Sequence, residues 1–152
     1  MQGYPITEAE PANIPALALL LEQLFNLESD FRPNAGKQAA GLRLIIENPE
    51  LGRIFVLRSQ DHIIGMANAL RTISTAEGCP VLLLEDVIVA EPYRGKGLGA
   101  KLVNHVLDWA KLQGIQRITL LADRENGPAQ RFYEKLGFRE SAMKAYRYYM
   151  NT

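Results

Sequence analysis

The stretch of this 152-residue chain richest in chemistry runs from Leu82 to Ala100, LLLEDVIVAEPYRGKGLGA. Its second half spaces Gly95, Gly97 and Gly99 one residue apart, with the basic residues Arg94 and Lys96 among them. A helical pattern begins there with no Ser, Thr, Asp or Asn to cap it. The first N–H groups of a helix lack partners inside the helix, and a side-chain oxygen usually accepts from them. Glycine instead lets a ligand approach the backbone, and a helix N-terminus favours negative charge. The expected occupant is a phosphate or pyrophosphate. The first half of the stretch carries a different signal. Glu85 and Asp86 interrupt an otherwise apolar strand, Leu82 to Val89. Strict alternation puts Glu85 on one face with Val87 and Val89 and turns Asp86 to the other; a bulge would alter that parity.

These residues need elements to position them, and the rest of the chain supplies an ordered set. Gly3 to Glu8 reads as a short edge strand. Asn13 and Pro15 open a helix on which Ile14, Leu17, Ala18, Leu21, Leu24 and Phe25 recur at helical spacing. After a loop containing Glu28 and Asp30, a second helix runs from about Ala35 to Glu47, with Asn34 as its cap and Leu42, Leu44, Ile45 and Ile46 on its apolar side. Arg53–Arg58 and Ile63–Ile73 form an antiparallel hairpin. Val81–Val89 reads as a strand buried on both faces. The helix Gly97–Gln113 lines one face with Leu98, Leu102, Val103, Val106, Leu107 and Ala110 and stops at Gly114. Arg117–Ala122 is the next strand, so strand, helix and strand make a βαβ unit with parallel strands. Pro128–Leu136 is a short helix ending at Gly137, and the tyrosine-rich tail Phe138–Met150 is expected to add one or two strands. No repeat or linker divides the chain, so one domain over residues 1–152 is expected.

Composition narrows the function classes. Lys plus Arg and Asp plus Glu each total 17, so no global field draws in nucleic acid or a membrane, and any anion site is local. The single Cys79 excludes an intrachain disulfide and fits a reducing compartment; before Pro80, in a loop, it is incidental. The N-terminus has no basic segment followed by an apolar run, and no run approaches the ~20 apolar residues that span a bilayer. A cytoplasmic location is therefore expected. His62 and His105 have no ligand company, so no metal is expected.

Two motifs together carry a resemblance. Arg94-Gly95-Lys96-Gly97-Leu98-Gly99 after the strand ending Val87-Ile88-Val89, and Asn126, Ala129 and Phe132-Tyr133-Glu134-Lys135-Leu136-Gly137-Phe138 downstream, resemble the two signature segments of the GNAT superfamily of acetyl-CoA-dependent N-acetyltransferases. The close match runs from about Leu82 to Phe138. The LED-x-x-V pattern before YRGKGLG also resembles, more weakly, the diamine acetyltransferase branch. The resemblance implies a single α/β (α+β) domain: a mixed, mostly antiparallel sheet with a central parallel strand pair and about four helices. It implies acetyl-CoA as acyl donor, with no metal, and a small-molecule amine as acceptor; a homodimer is common in the family.

It also implies roles. Backbone N–H groups of Lys96, Gly97, Leu98, Gly99 and Ala100, with the loop residues Arg94 and Gly95, would hold the pyrophosphate. The pantetheine arm would lie along Val87, Ile88 and Val89, with an N–H near Ile88 polarising the thioester carbonyl. Tyr133 would act as general acid toward the leaving thiolate, and Glu85 as base, or as electrostatic partner, toward the amine. Asn126 and Ala129 would shape backbone near the cofactor. Arg131 and Lys135 would meet the adenosine 3′-phosphate or simply be solvated, and Glu28 and Asp30 would attract a cationic amine or remain loop residues. Three other readings compete. Gly95, Gly97 and Ala100 satisfy a dinucleotide fingerprint numerically, but five residues separate the strand from the first glycine and too little chain follows. A protein N-acetyltransferase, or a non-catalytic acyl-CoA-binding module, fits the same motifs.

Overall fold

A computed structural model of the chain describes residues 3–28 and 30–150. The chain divides into two compact units, residues 1–121 and 122–152.

The first unit is built on a sheet. Its elements are β1 (Ile6–Glu8), α1 (Ile14–Leu27), α2 (Ala35–Ile46), β2 (Gly52–Ser59), β3 (His62–Ser74), β4 (Cys79–Val89), α3 (Leu98–Leu112) and β5 (Ile118–Leu120). Strand order follows the sequence, β1-β2-β3-β4-β5. All neighbours pair antiparallel except β4 and β5, which are parallel as the βαβ pattern requires. That parallel pair occupies the β5 end of the described sheet rather than its centre.

Alternation along β2 separates two cores. Ile54 and Val56 join Met66 of β3 and Ile88 of β4 in a cluster with Ile14, Leu17, Leu20 and Leu21 of α1 and Leu42 of α2. Phe55, between Ile54 and Val56, faces the other way. Its ring lies 5.3 Å edge-on from both His105 and Trp109 of α3, a helix whose Leu102, Val103, Val106 and Ala110 are buried. Helices thus cover both faces, which is why β3 and β4 read as apolar runs rather than as alternating strands.

Local signals acted as expected at some boundaries and not at others. Asn34 caps α2, its Oδ1 accepting from Lys37 N at 3.1 Å. Asn13 does not cap α1: its Oδ1 accepts from Glu10 N at 2.7 Å, closing a 3-10 turn over Pro11–Asn13 that precedes the helix. Leu44 is exposed rather than part of the apolar side of α2.

The second unit contains α4 (Gly127–Lys135). Asn126 caps it, its Oδ1 accepting from Ala129 N at 3.1 Å. Gly137 ends it at φ +105°. The Gly137 and Phe138 N–H groups return to the carbonyls of Glu134 and Tyr133, and Phe138 lies against the Tyr133 ring at 5.7 Å. This is a left-handed glycine stop with its accompanying apolar contact. The expected C-terminal strands do not form among the described residues: 138–150 make no ladder. Tyrosine favours extended backbone, but a strand exists only where a partner's hydrogen bonds meet it. Among the described residues no helix is long and apolar enough to cross a membrane.

Candidate active site

In the first unit the site residues follow β4 into α3. β5 pairs with β4 only at Leu82, Leu83 and Leu84, whereas β4 continues to Val89. Among the described residues, no strand of the sheet lies along the edge from Glu85 to Val89 on the β5 side. The chain then turns through a 3-10 turn, Glu91–Tyr93, and enters the glycine loop. Arg94 Nε donates to the Val89 carbonyl at 2.7 Å, tying the loop to the end of the strand. Lys96 Nζ stands 5.6 Å above the Tyr93 ring. Gly95 and Gly97 take φ +79° and +77°, which other L-residues adopt at a cost. Gly97 is the N-cap of α3, and no side chain caps the helix. The uncapped turn expected from sequence is therefore present.

The acid pair is arranged differently from strict alternation. Asn68 of β3 faces Glu85, and Met66 faces Ile88. One β3 residue, Ala67, thus spans the interval occupied by Asp86 and Val87 on β4. This is a bulge, and Asp86 makes it by taking φ +57°. Because Asn68 and Met66 share a face of β3, Glu85 shares its face with Ile88, toward α1 and α2, and not with Val87 and Val89. The ladder also corrects the expected carbonyl donor. Ala90 N donates to Ile64 O at 2.7 Å. Alternation then directs the Ile88 N–H toward β3 as well and leaves those of Val87 and Val89 on the β5-side edge.

Asn68 is a partner of the acid pair that sequence reasoning missed. It is only 3% exposed, and its Nδ2 donates to Asp86 Oδ2 at 3.1 Å. Burial raises the Asp86 carboxyl above its ordinary 3.8, against the lowering effect of the Asn68 bond. The available signal was one asparagine inside the apolar run Met66-Ala67-Asn68-Ala69-Leu70. In the second unit, Asn126 and Ala129 form the α4 cap, and Tyr133 lies between Phe132, at 5.0 Å, and Phe138. Arg131 lies over Gly127, where a Cβ would meet its Nη1 at 3.0 Å. Among the described residues, no cluster of three His, Cys, Asp or Glu side chains offers a metal site.

Among the described residues, a strand edge that β5 leaves beyond Leu84 leads into a helix N-terminus with glycine at its N-cap, a geometry suited to an extended chain ending in phosphate. The acetyltransferase (GNAT) family model matches residues 21–138, across both units, and the chain belongs to that family. Over 141 residues it is 30% identical to the uncharacterised N-acetyltransferase YobR of Bacillus subtilis, covering 92% of this chain and 51% of that protein. The chain thus spans about half the length of that relative. Over 69 residues it is 36% identical to an aminoglycoside N(6')-acetyltransferase of Serratia marcescens, covering 45% of this chain and 47% of that one. A predicted acetyltransferase from Clostridium acetobutylicum, solved with acetyl-CoA, superposes with a TM-score of 0.79 at 17% identity over 95% of this chain and 96% of its own.

Proposed function

We propose that the chain is an acetyl-CoA-dependent N-acetyltransferase, one functional domain, that acetylates a primary amine of a small molecule by direct attack in a ternary complex. The observation that carries this reading is the β4 edge: it runs free of β5 from Glu85 to Val89 and ends at the uncapped N-terminus of α3. A pantetheine arm pairs with that edge as an added strand would. Its pyrophosphate meets the first-turn N–H groups of α3 beside Arg94 and Lys96.

The Val87 N–H, at the acyl end of the edge, polarises the thioester carbonyl. Glu85 takes a proton from the acceptor ammonium, directly or through a water. The freed nitrogen lone pair attacks the carbonyl carbon; the C–N bond forms and the C–S bond breaks. The departing thiolate, whose parent pKa is about 8.5 as for a cysteine thiol, takes the Tyr133 hydroxyl proton; the nitrogen sheds its second proton to water as the amide forms, and water returns a proton to the Tyr133 oxygen and clears the one held by Glu85. Similarity to an aminoglycoside acetyltransferase supports a small-molecule acceptor. The exposed Met143, Tyr146, Tyr148 and Met150 support a homodimer, which sedimentation velocity checks.

A screen of primary amines, read as free thiol released from acetyl-CoA, tests the reading. Amine-dependent release on a small-molecule amine is expected. Release only with peptide amines moves the acceptor class to proteins, and acetyl-CoA binding without release on any amine leaves a binding module.

A further inference from the structure

We propose that Asp86 and Asn68 form the docking pair for the acceptor amine, the carboxylate and the amide oxygen each receiving an N–H of one primary ammonium group. The proposal rests on the acetyltransferase reading and names the part of the site that selects the acceptor.

Two unmet needs sit side by side. Asn68 Oδ1 is buried and has no hydrogen-bond partner among the described residues, although Asn68 spends its Nδ2 on Asp86. A buried acceptor left without a donor is destabilising, and native proteins rarely retain one without a use. Turning the amide over does not remove the problem. It sets Oδ1 against the Asp86 carboxylate, acceptor against acceptor, unless the carboxyl is protonated. The carboxylate has its own deficit: it is partly buried, and its hydrogen bond from Asn68 among the described residues comes from a neutral amide. A cation beside a buried carboxylate, or further hydrogen-bond donors to it, stabilises the anion. One group supplies both a positive charge and two N–H donors: a primary ammonium.

The backbone argues the same way. Asp86 holds φ +57° inside a strand, a conformation that costs an L-residue energy and collects at functional sites. That twist makes the bulge and brings the Asp86 carboxylate to Asn68, whose register partner is Glu85. The amine would then be held next to the residue proposed to deprotonate it. Both proposed contacts are N–H donations, so the pair favours a primary amine over a fully methylated one.

Asp86→Asn tests this without disturbing the bulge, because asparagine tolerates the left-handed region at least as well as aspartate. The expected result is a fall in kcat/KM for the amine of about 10- to 100-fold, the loss of one charge-assisted hydrogen bond, carried mainly by KM. Acetyl-CoA affinity should hold. Asn68→Leu, which keeps the branching and removes the amide, should raise the amine KM in the same direction. NMR supplies a readout independent of turnover: propylamine should shift the Asn68 side-chain amide and the Asp86 carboxyl carbon, and propyltrimethylammonium should not. If wild-type enzyme turns over amines and Asp86→Asn matches it in KM, the docking pair is wrong and the acetyltransferase reading stands. If no amine is acetylated but propylamine shifts both signals, the pair stands and the reading falls. Equal shifts from both probes reduce the site to a charge and overturn the proposal, as does no shift from either.

Discussion

Replacing Gly97 by alanine separates the two things the glycine turn is asked to do. Gly97 sits at φ +77° and ψ +10° as the N-cap of α3. A Cβ built there meets no atom within 4 Å, so crowding adds nothing and the cost is purely conformational. Holding an L-residue in the left-handed region costs about 1–2 kcal/mol. For a chain of this length that lowers the thermal midpoint by roughly 2–8 °C. If alanine instead relaxes toward negative φ, the first-turn N–H groups of α3 rotate away from their common target. No side chain caps those donors, so a bound pyrophosphate depends on their alignment. Losing one hydrogen bond to a charged group, about 1.5–3 kcal/mol, weakens acetyl-CoA binding by about 10- to 150-fold.

Gly97→Asn serves as the control. Asparagine visits the left-handed region more readily, so its midpoint should lie closer to wild type while its side chain still crowds the ligand. Scanning calorimetry and isothermal titration with acetyl-CoA read the two effects separately. Unchanged acetyl-CoA affinity in both variants would refute the pyrophosphate assignment, because the glycines would then do no more than make a turn. An unchanged midpoint in Gly97→Ala would refute the strain argument on its own.

Other perturbations follow from the same geometry. Tyr133→Phe keeps the ring that packs between Phe132 and Phe138 and removes only the hydroxyl, so kcat should fall with acetyl-CoA binding retained; unchanged turnover in a steady-state assay takes Tyr133 out of the mechanism. Phe55→Ala empties a site 2% exposed between the sheet and α3 and should cost about 3–5 kcal/mol, seen as a lower urea midpoint at constant slope. Asp86 links stability to pH. Its folded pKa is raised by burial, so the native state binds the proton more tightly than the unfolded chain does. Its contribution is fully present below the unfolded value and is lost as pH rises through the folded one. Asp86→Asn lacks that loss, so its thermal midpoint relative to wild type should climb as pH rises above 3.8; a constant difference across the titration contradicts the assignment.

Much of the frame was legible because its signals are local. The Asn34 cap, the left-handed Gly114 after α3 and the Gly137 stop each act through hydrogen bonds within a few residues, and each is found where the sequence puts it. The uncapped α3 terminus is legible for the same reason. What escaped depends on partners distant in sequence. Asn13 has the right chemistry for a cap, but Glu10 N claims its oxygen first. The tail has strand-forming residues, yet composition cannot name a neighbour for them. β5 stops pairing with β4 at Leu84, and no pattern within β4 announces that its ladder ends there.

The acid pair shows how far one residue can move a functional argument. Alternation is a statement about every position at once, so a single left-handed residue reverses it for all that follow. Asp86 is that residue. Without the bulge, Glu85 would still stand opposite Asn68 but would share its face with Val87 and Val89, and Asp86 would turn to the other face, away from the Asn68 amide. With it, Glu85 and Ile88 share the face that meets α1 and α2, while Val87 and Val89 offer their N–H groups to the free edge. On the function proposed above, the bulge divides one strand between two substrates: its edge would take an extended acyl donor, and its face, with Glu85 and the Asp86–Asn68 pair, the amine. A regular strand in this place presents the same residues and cannot make that division.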